Sequence, residues 1–393
     1  MLYLYGANVV TPLGVTANGS VLVDGGRITA VNEPCPEAAQ RLDAGGGYIL
    51  PGFIDIHVHG GGGYDCMDAS VEAFQAVARA HCEHGSTAIV PTTMTCEDEL
   101  LEKVIQCYLQ ASTSNGNGAE MLGLHLEGPF FSAASANSRG AQPITRQRIP
   151  TRKMLEHIIQ LAQGHILRWD AAAELPDMEI FAQVMKENHI LCSLAHSAAN
   201  ATLATQAFEW GFEHVTHFYN ACTTFHKEDG IVHAGIIEAT YLNDGVTIEL
   251  IGDGRHIPKE SMLLAHRIKG TDRICLITDA MRAAGTNVSH SILGPKDTGV
   301  PVVIRDEVAQ LEDFSSYAGS ICTMDRALRV AHVQYGLPLV DVSRMLSLTP
   351  ARLSGVADRK GSLEAGKDAD IVMMDSDFQV KKVFVKGKLV HEA

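Results

Sequence analysis

Several features that would direct a chain to a membrane, a nucleic acid or an oxidising compartment are missing from this sequence. Its longest apolar runs fall well short of the ~20 residues a bilayer span requires. The opening residues, MLYLYGANVVTPLG, have neither a basic n-region nor a cleavage pattern, so no secretory signal is expected. Basic residues are in deficit: 31 Lys and Arg against 46 Asp and Glu give a formal net charge of −15. That balance argues against nucleic acid as the main partner, although a local basic pocket could still take a small anion. The 9 cysteines are scattered, odd in number and without a CxxC pair. They read as reduced residues of a cytoplasmic protein rather than a disulfide framework.

Histidine, by contrast, is plentiful, with 18 in 393 residues. The stretch PGFIDIHVHGGGGYD, residues 51–65, carries two of them in an apolar run that opens into four glycines. Alternate side chains of a strand share a face, so His57 and His59 point together, as two ligands of one metal ion would. Asp55 shares that face and could orient a ligand from behind. The glycines remove side-chain bulk where a ligand would approach.

Down the chain, β-rich runs alternate with amphipathic helical stretches. Strands are expected at Phe53–His59, Ser86–Thr92, Glu120–Leu126, Ile166–Ala173, Ile190–His196, His214–Phe218, Thr247–Ile251 and Ile274–Thr278. Helices are expected at Val71–His84, Asp98–Leu109, Arg152–Leu161, Met178–Glu187, Asn200–Trp210 and Lys259–Lys269, then at Thr323–Tyr335 and Leu339–Leu346, the last stopping before Pro350. This alternation implies an α/β fold, a (β/α)8 TIM-like barrel spanning 51–359. Residues 1–50 and 360–393 read as short strands that cannot bury their faces alone, so they are expected to form one small β-sandwich domain. The polar, turn-rich 285–316 segment is an insertion and a candidate third contributor to that sheet.

Functional side chains of such barrels sit at the C-terminal strand ends. There the sequence places His57 and His59, His125 and Glu127, Glu174, His196, His217, Asp253 with His256, and Asp279. Imidazoles with carboxylate suit zinc or another divalent first-row ion with an open position for water. Water bound to such an ion loses a proton near neutral pH, and Asp279 in LITDAMRAAG is placed to take it and pass it on. A helix N-cap is the plainer role for the same aspartate, and the two roles are compatible. The fourth strand, ILRWDAAAE, has no lysine that could be carboxylated to bridge two ions, which leaves Glu127 as the substitute.

The motifs PGFIDIHVHGGGGYD, GLHLEGPFF, THFYNA, DGRH, LITDAMRAAG, AGSICTMDRALR and KGSLEAGKDADIV, in order over nearly the whole chain, resemble the N-acetylglucosamine-6-phosphate deacetylases of the amidohydrolase superfamily. The resemblance implies a cytoplasmic, metal-dependent hydrolase acting on an N-acetylated amino sugar phosphate, with one or two zinc ions per subunit in a homodimer. Glu127, His196 and His217 match the ligands of the family's principal metal. His57 and His59 match the pair holding a second metal where members have one, and Asp279 matches the acid/base. His256 matches a histidine at the substrate, and Asn220 and Ala221 match residues near its phosphate.

The departures bear on substrate. Gln142 in RGAQ replaces the histidine of KGAH, and Ala195 replaces a glycine before His196. The family's R-E-P-G loop, whose arginine reaches the neighbouring subunit's phosphate, reads KEDG here. Lys227 is a point charge where arginine forms a fork, and Glu228 and Asp229 would repel a dianion. Arg255 and His226 are the candidate compensations. Two alternatives stay open: a deacetylase for a different or unphosphorylated N-acyl substrate, and a non-catalytic sugar-phosphate sensor.

Overall fold

The computed structural model describes residues 1–114, 116–134 and 136–393. Its centre is eight parallel strands: β1 (Phe53–Val58), β2 (Ser86–Pro91), β3 (Leu124–Phe130), β4 (Ile166–Ala171), β5 (Leu191–Leu194), β6 (His214–Val215), β7 (Thr247–Ile251) and β8 (Ile274–Ile277). Every residue of β1, β2 and β3 is buried, as expected for parallel strands covered on both faces. β1 pairs with β2, and β3 to β8 pair in sequence. Parallel bridges at Thr92–His125 and Val58–Ala280 join these ladders into a ring. Asp55 fastens the closure from inside, accepting from the Thr278 hydroxyl at 2.6 Å. Burial raises its carboxyl to about 7.

The helices follow local chemistry closely. Ser70, Thr151 and Asn200 each cap the helix they precede, accepting from a backbone N–H three residues on. The expected Arg152–Leu161, Met178–Glu187 and Lys259–Lys269 are found with those limits, whereas the second helix runs on to Ser114. A hairpin (His226–Glu228 with Ile231–His233) and a short helix (Ile236–Tyr241) lie between β6 and β7, where no element was expected. Pro350 does not end the last helical path. That path passes through a wide turn at Arg344–Leu348 and restarts at Thr349–Leu353. Proline in a first turn forfeits only an N–H that has no partner in its own helix.

The insertion after β8 folds separately from the termini. Its strands His290–Leu293, Val300–Arg305, Val308–Leu311 and Tyr317–Ser320 pair consecutively and antiparallel. The expectation that 285–316 joins the terminal sheet is therefore corrected: short turns let each strand pair with its chain neighbour first. The termini do build one eight-stranded sheet, in which Ile371–Met374 pairs antiparallel with Tyr48–Pro51. One face encloses Leu4, Val9, Val21, Ile28, Ile49 and Ile371; the other sends Val10, Leu50, Val372 and Val383 into the barrel's core. Among the described residues no helix is long and apolar enough to cross a membrane.

Candidate metal centre

Five strand ends deliver the site. His57 lies near the end of β1, with His59 just beyond it; Glu127 lies on β3; His196, His217 and Asp279 follow β5, β6 and β8 by two residues. These last three have φ of 47°, 30° and 49°, a left-handed conformation that side chains other than glycine seldom adopt. Each strand thus kinks as it ends, and such strain concentrates at functional positions.

Two groups of ligand-type atoms result. In one, Glu127, His196 and His217 converge; in the other, His57, His59 and Asp279. The Nε2 atoms of His196 and His217 stand 3.0 Å apart and each 3.1 Å from Glu127 Oε1. Both rings use Nδ1 against a main-chain carbonyl, of Ser138 at 3.0 Å and Asn220 at 3.1 Å. A carbonyl only accepts, so in the neutral rings the proton resides on Nδ1 and both Nε2 atoms offer lone pairs. With the rings neutral, three lone-pair atoms face one point, so either added protons or a cation must lie between them. That arrangement fits a cation.

The second group repeats the pattern with different support. His57 Nδ1 donates to Glu249 at 3.0 Å, turning Nε2 toward His59 Nε2 at 3.2 Å and Asp279 at 3.5 Å. His59 Nε2 also lies 3.3 Å from both Asp279 and Glu127 Oε2. Glu127 therefore faces both groups. Burial opposes charge throughout, yet the hydrogen bond to Glu127 raises His217 to about 9. Burial also opposes ionisation of Glu127 itself, but hydrogen bonds from His196, His217 and His59 hold its carboxyl well below the usual range. These shifts express the same demand for positive charge between the carboxylates.

Below the groups lies a second buried layer. His125 shares the face of Glu127 but sits deeper, donating to Asp170 at 2.8 Å beside Arg168. Burial and the Arg168 charge lower it to about 3, so it is neutral and outside the metal groups. Glu174 is also elsewhere, accepting from the Ser197 hydroxyl and the Ala198 N–H.

A family model described as "Amidohydrolase family" matches residues 48–390. The N-acetylglucosamine-6-phosphate deacetylase of Bacillus subtilis (strain 168) is 34% identical over 387 residues, 97% of this chain and 95% of that protein. The chain belongs to the N-acetylglucosamine-6-phosphate deacetylase family of amidohydrolases. The N-acetylgalactosamine-6-phosphate deacetylase of Escherichia coli O157:H7 is 32% identical, covering 92% of each chain. The crystal structure of N-acetylglucosamine-6-phosphate deacetylase from Pasteurella multocida superposes with a TM-score of 0.90 at 29% identity, covering 99% of each chain.

In this member of the deacetylase family, a cavity of about 380 Å³ opens over the two groups. Gln142, Asn220, Ala221 and His256 line it with Glu127, His196, His217 and Asp279. His256 is anchored through Nδ1 to Asp253 at 2.7 Å. Asn220 Nδ2 is buried with no hydrogen-bond partner among the described residues. Gln142 accepts from the Thr95 N–H and donates to Glu127 Oε2 at 2.8 Å, so its amide holds the carboxylate.

Lys227 and Arg255 do not line the cavity. Lys227 projects from the exposed hairpin, and Arg255 pairs with Glu307 of the insertion. Nor does His226, which belongs to the same hairpin and hydrogen-bonds the Thr224 carbonyl. The side chain of Glu228 lies outside the described set. One cation that sequence reasoning passed over, Arg139, does line the cavity, and it makes no ion pair among the described residues. It stands in the RGAQ segment already marked by its departure from the family pattern.

The four glycines need a different explanation from ligand access. None lines the cavity. A Cβ at Gly60 would stand 2.4 Å from the Tyr64 carbonyl oxygen, and Gly62 and Gly63, with φ of 61° and 88°, turn the chain so that Gly60–Gly61 pairs antiparallel with Tyr64–Asp65. What approaches here is the protein's own backbone.

Proposed function

We propose that this protein removes acetate from an N-acetylated amino sugar, with N-acetylglucosamine 6-phosphate the leading substrate. The observation that carries the reading is the convergence of ligand atoms from Glu127, His196 and His217, with Asp279 beside them. Those three residues would hold the principal divalent ion, and His57, His59 and Asp279 a second. Imidazole and carboxylate donors favour zinc. Bound there, such an ion polarises an amide carbonyl and makes a water acidic enough to attack near neutral pH.

The residues supply the rest. Asp279 takes the proton from the attacking water and returns it to the amide nitrogen as the C–N bond breaks, releasing acetate and the free amine. His256, held through Nδ1 by the Asp253 carboxylate, donates through Nε2 to the oxygen that gains charge when both ring nitrogens carry a proton. The unpartnered amide of Asn220 and the backbone at Ala221 offer contacts to the sugar phosphate. Arg139 is the cation of the same cavity suited to the phosphate.

Steady-state kinetics on N-acetylglucosamine and N-acetylgalactosamine, each with and without 6-phosphate, test this reading. A preference for the phosphorylated sugars, reduced in Arg139→Met chiefly through KM, is expected. Equal kcat/KM on both forms would remove the phosphate, and a metal-free, fully active enzyme would remove the mechanism. The relative acting on N-acetylgalactosamine 6-phosphate supports that epimer as a second reading, which the same panel decides.

We also propose a cytoplasmic homodimer, the hairpin of one subunit carrying Lys227 to the other's cavity. Its exposed Phe225, Ile231 and Val232 and the absence of Lys227 from its own cavity support this. Nine free cysteines suit a reducing compartment. Residues 1–50 with 360–393, and 51–359, are the proposed domains.

A further inference from the structure

Beneath the two ligand groups one carboxylate touches both. Glu249, on β7 and fully buried, accepts the Nδ1 proton of His57 at 3.0 Å and the backbone N–H of His217 at 3.1 Å. Both bonds end on the same oxygen, Oε2. Its other oxygen pairs with Arg168, itself 1% exposed, and His214 Nε2 lies 3.6 Å away. A buried guanidinium and carboxylate are costly to desolvate and stay only where both are paired. Here the pair holds a ring of one group and the main chain of the other.

We infer that Glu249 is the positioning residue of the His57–His59–Asp279 group and its mechanical link to Glu127–His196–His217. It fixes His57 with the proton on Nδ1, so that the Nε2 lone pair points at His59 and Asp279. Arg168, paired with the other oxygen, locks the carboxylate's rotation. The dependence is unequal. The His217 ring is separately held by the Asn220 carbonyl, whereas among the described residues His57 Nδ1 meets only Glu249 and, at 3.5 Å, the Arg168 guanidinium. Losing the Glu249 carboxylate should therefore loosen the second group selectively. The inference rests on the reading that these groups hold metal.

Zn²⁺ titration of the full-length apoprotein against a competing chelator tests it. The wild type should show two classes of site, and His59→Ala identifies which belongs to the His57 group. Glu249→Gln should weaken that class by about 10–100-fold, the range for residues behind a ligand, and leave the other class unchanged. In the metal-free protein, ¹⁵N spectra of the labelled histidines should place the His57 proton on Nδ1 in the wild type and redistribute it in the variant. If burying Arg168 without its partner prevents folding, the neutral pair Arg168→Gln with Glu249→Gln replaces the single variant, with the same expectation. Equal weakening of both classes, no weakening, or a single class in the wild type overturns the inference. Absence of any Zn²⁺ binding overturns the metal reading with it.

Discussion

Two buried clusters of charge sit at opposite ends of the barrel and solve the same problem differently. At the C-terminal end, Glu127 and Asp279 face imidazole nitrogens, and among the described residues no lysine or arginine pairs with either carboxylate. At the N-terminal end, where the barrel meets the terminal sheet, Glu120, Asp368 and Asp370 converge on Lys360, which is 1% exposed. Arg359 adds a second cation, reaching Glu120 at 2.9 Å and Asp368 at 3.0 Å. The lower cluster contains its own counter-charge and joins two parts of the fold. The upper one leaves that charge to be supplied from outside. Stability is served by the first arrangement and chemistry by the second, because a site closed by its own lysine has no position to offer a substrate.

The contrast predicts that substitutions at the two ends will fail in different ways. The largest effect is expected from Glu127→Ala, which removes the one carboxylate facing both ligand groups. Metal content by plasma mass spectrometry and deacetylation should both fall to background while the melting temperature stays near that of the metal-free wild type. A metal-replete variant would dissolve the contrast. Asp279→Asn keeps the shape and removes the base, so kcat should drop by about 10²–10⁴-fold with the principal ion retained. Unchanged turnover would take Asp279 out of the mechanism.

At the other end the readouts exchange places. Lys360→Met strips the ammonium from the buried Asp368 and Asp370 and the partly exposed Glu120 and should cost about 3–5 kcal/mol in denaturant unfolding, with metal content intact. The smallest effect is a pH dependence. Burial resists ionisation of Glu120, but Arg359 and Lys360 outweigh it and bring its carboxyl from the ordinary 4.5 to about 2. A depressed acid contributes stability that is complete above the unfolded value and is lost as pH falls toward the folded one. The melting temperature should thus decline more steeply between these two values in the wild type than in Glu120→Gln. Parallel profiles would mean that Glu120 is not part of the lower cluster's stabilisation.

Much of this was legible in the chain. Apolar β-rich runs separated by capped amphipathic helices are local patterns, and they located the barrel strands and most helices within a few residues. The ligand-type residues at strand ends were legible for a related reason: one-residue alternation sets which side chains share a face. Sequence missed what depends on a partner far along the chain. The glycines after His59 read as room for a ligand, yet Tyr64 and the loop after β8 fill that space. Asp55 read as a support behind a ligand, and besides accepting from the His57 backbone N–H it fastens β1 to β8, which the sequence did not show. Arg139 carried no signal beyond its neighbour Gln142.

By itself, then, the sequence determined the elements, the family pattern and the set of groups able to bind a metal and move a proton, since these follow from residue type and short-range period. Only the tertiary structure decided that Arg139 enters the cavity and that Glu249 stands behind both sets of ligands. Each of those facts depends on segments far apart in the chain that the closing of the barrel brings together, and no local pattern encodes how a ring closes.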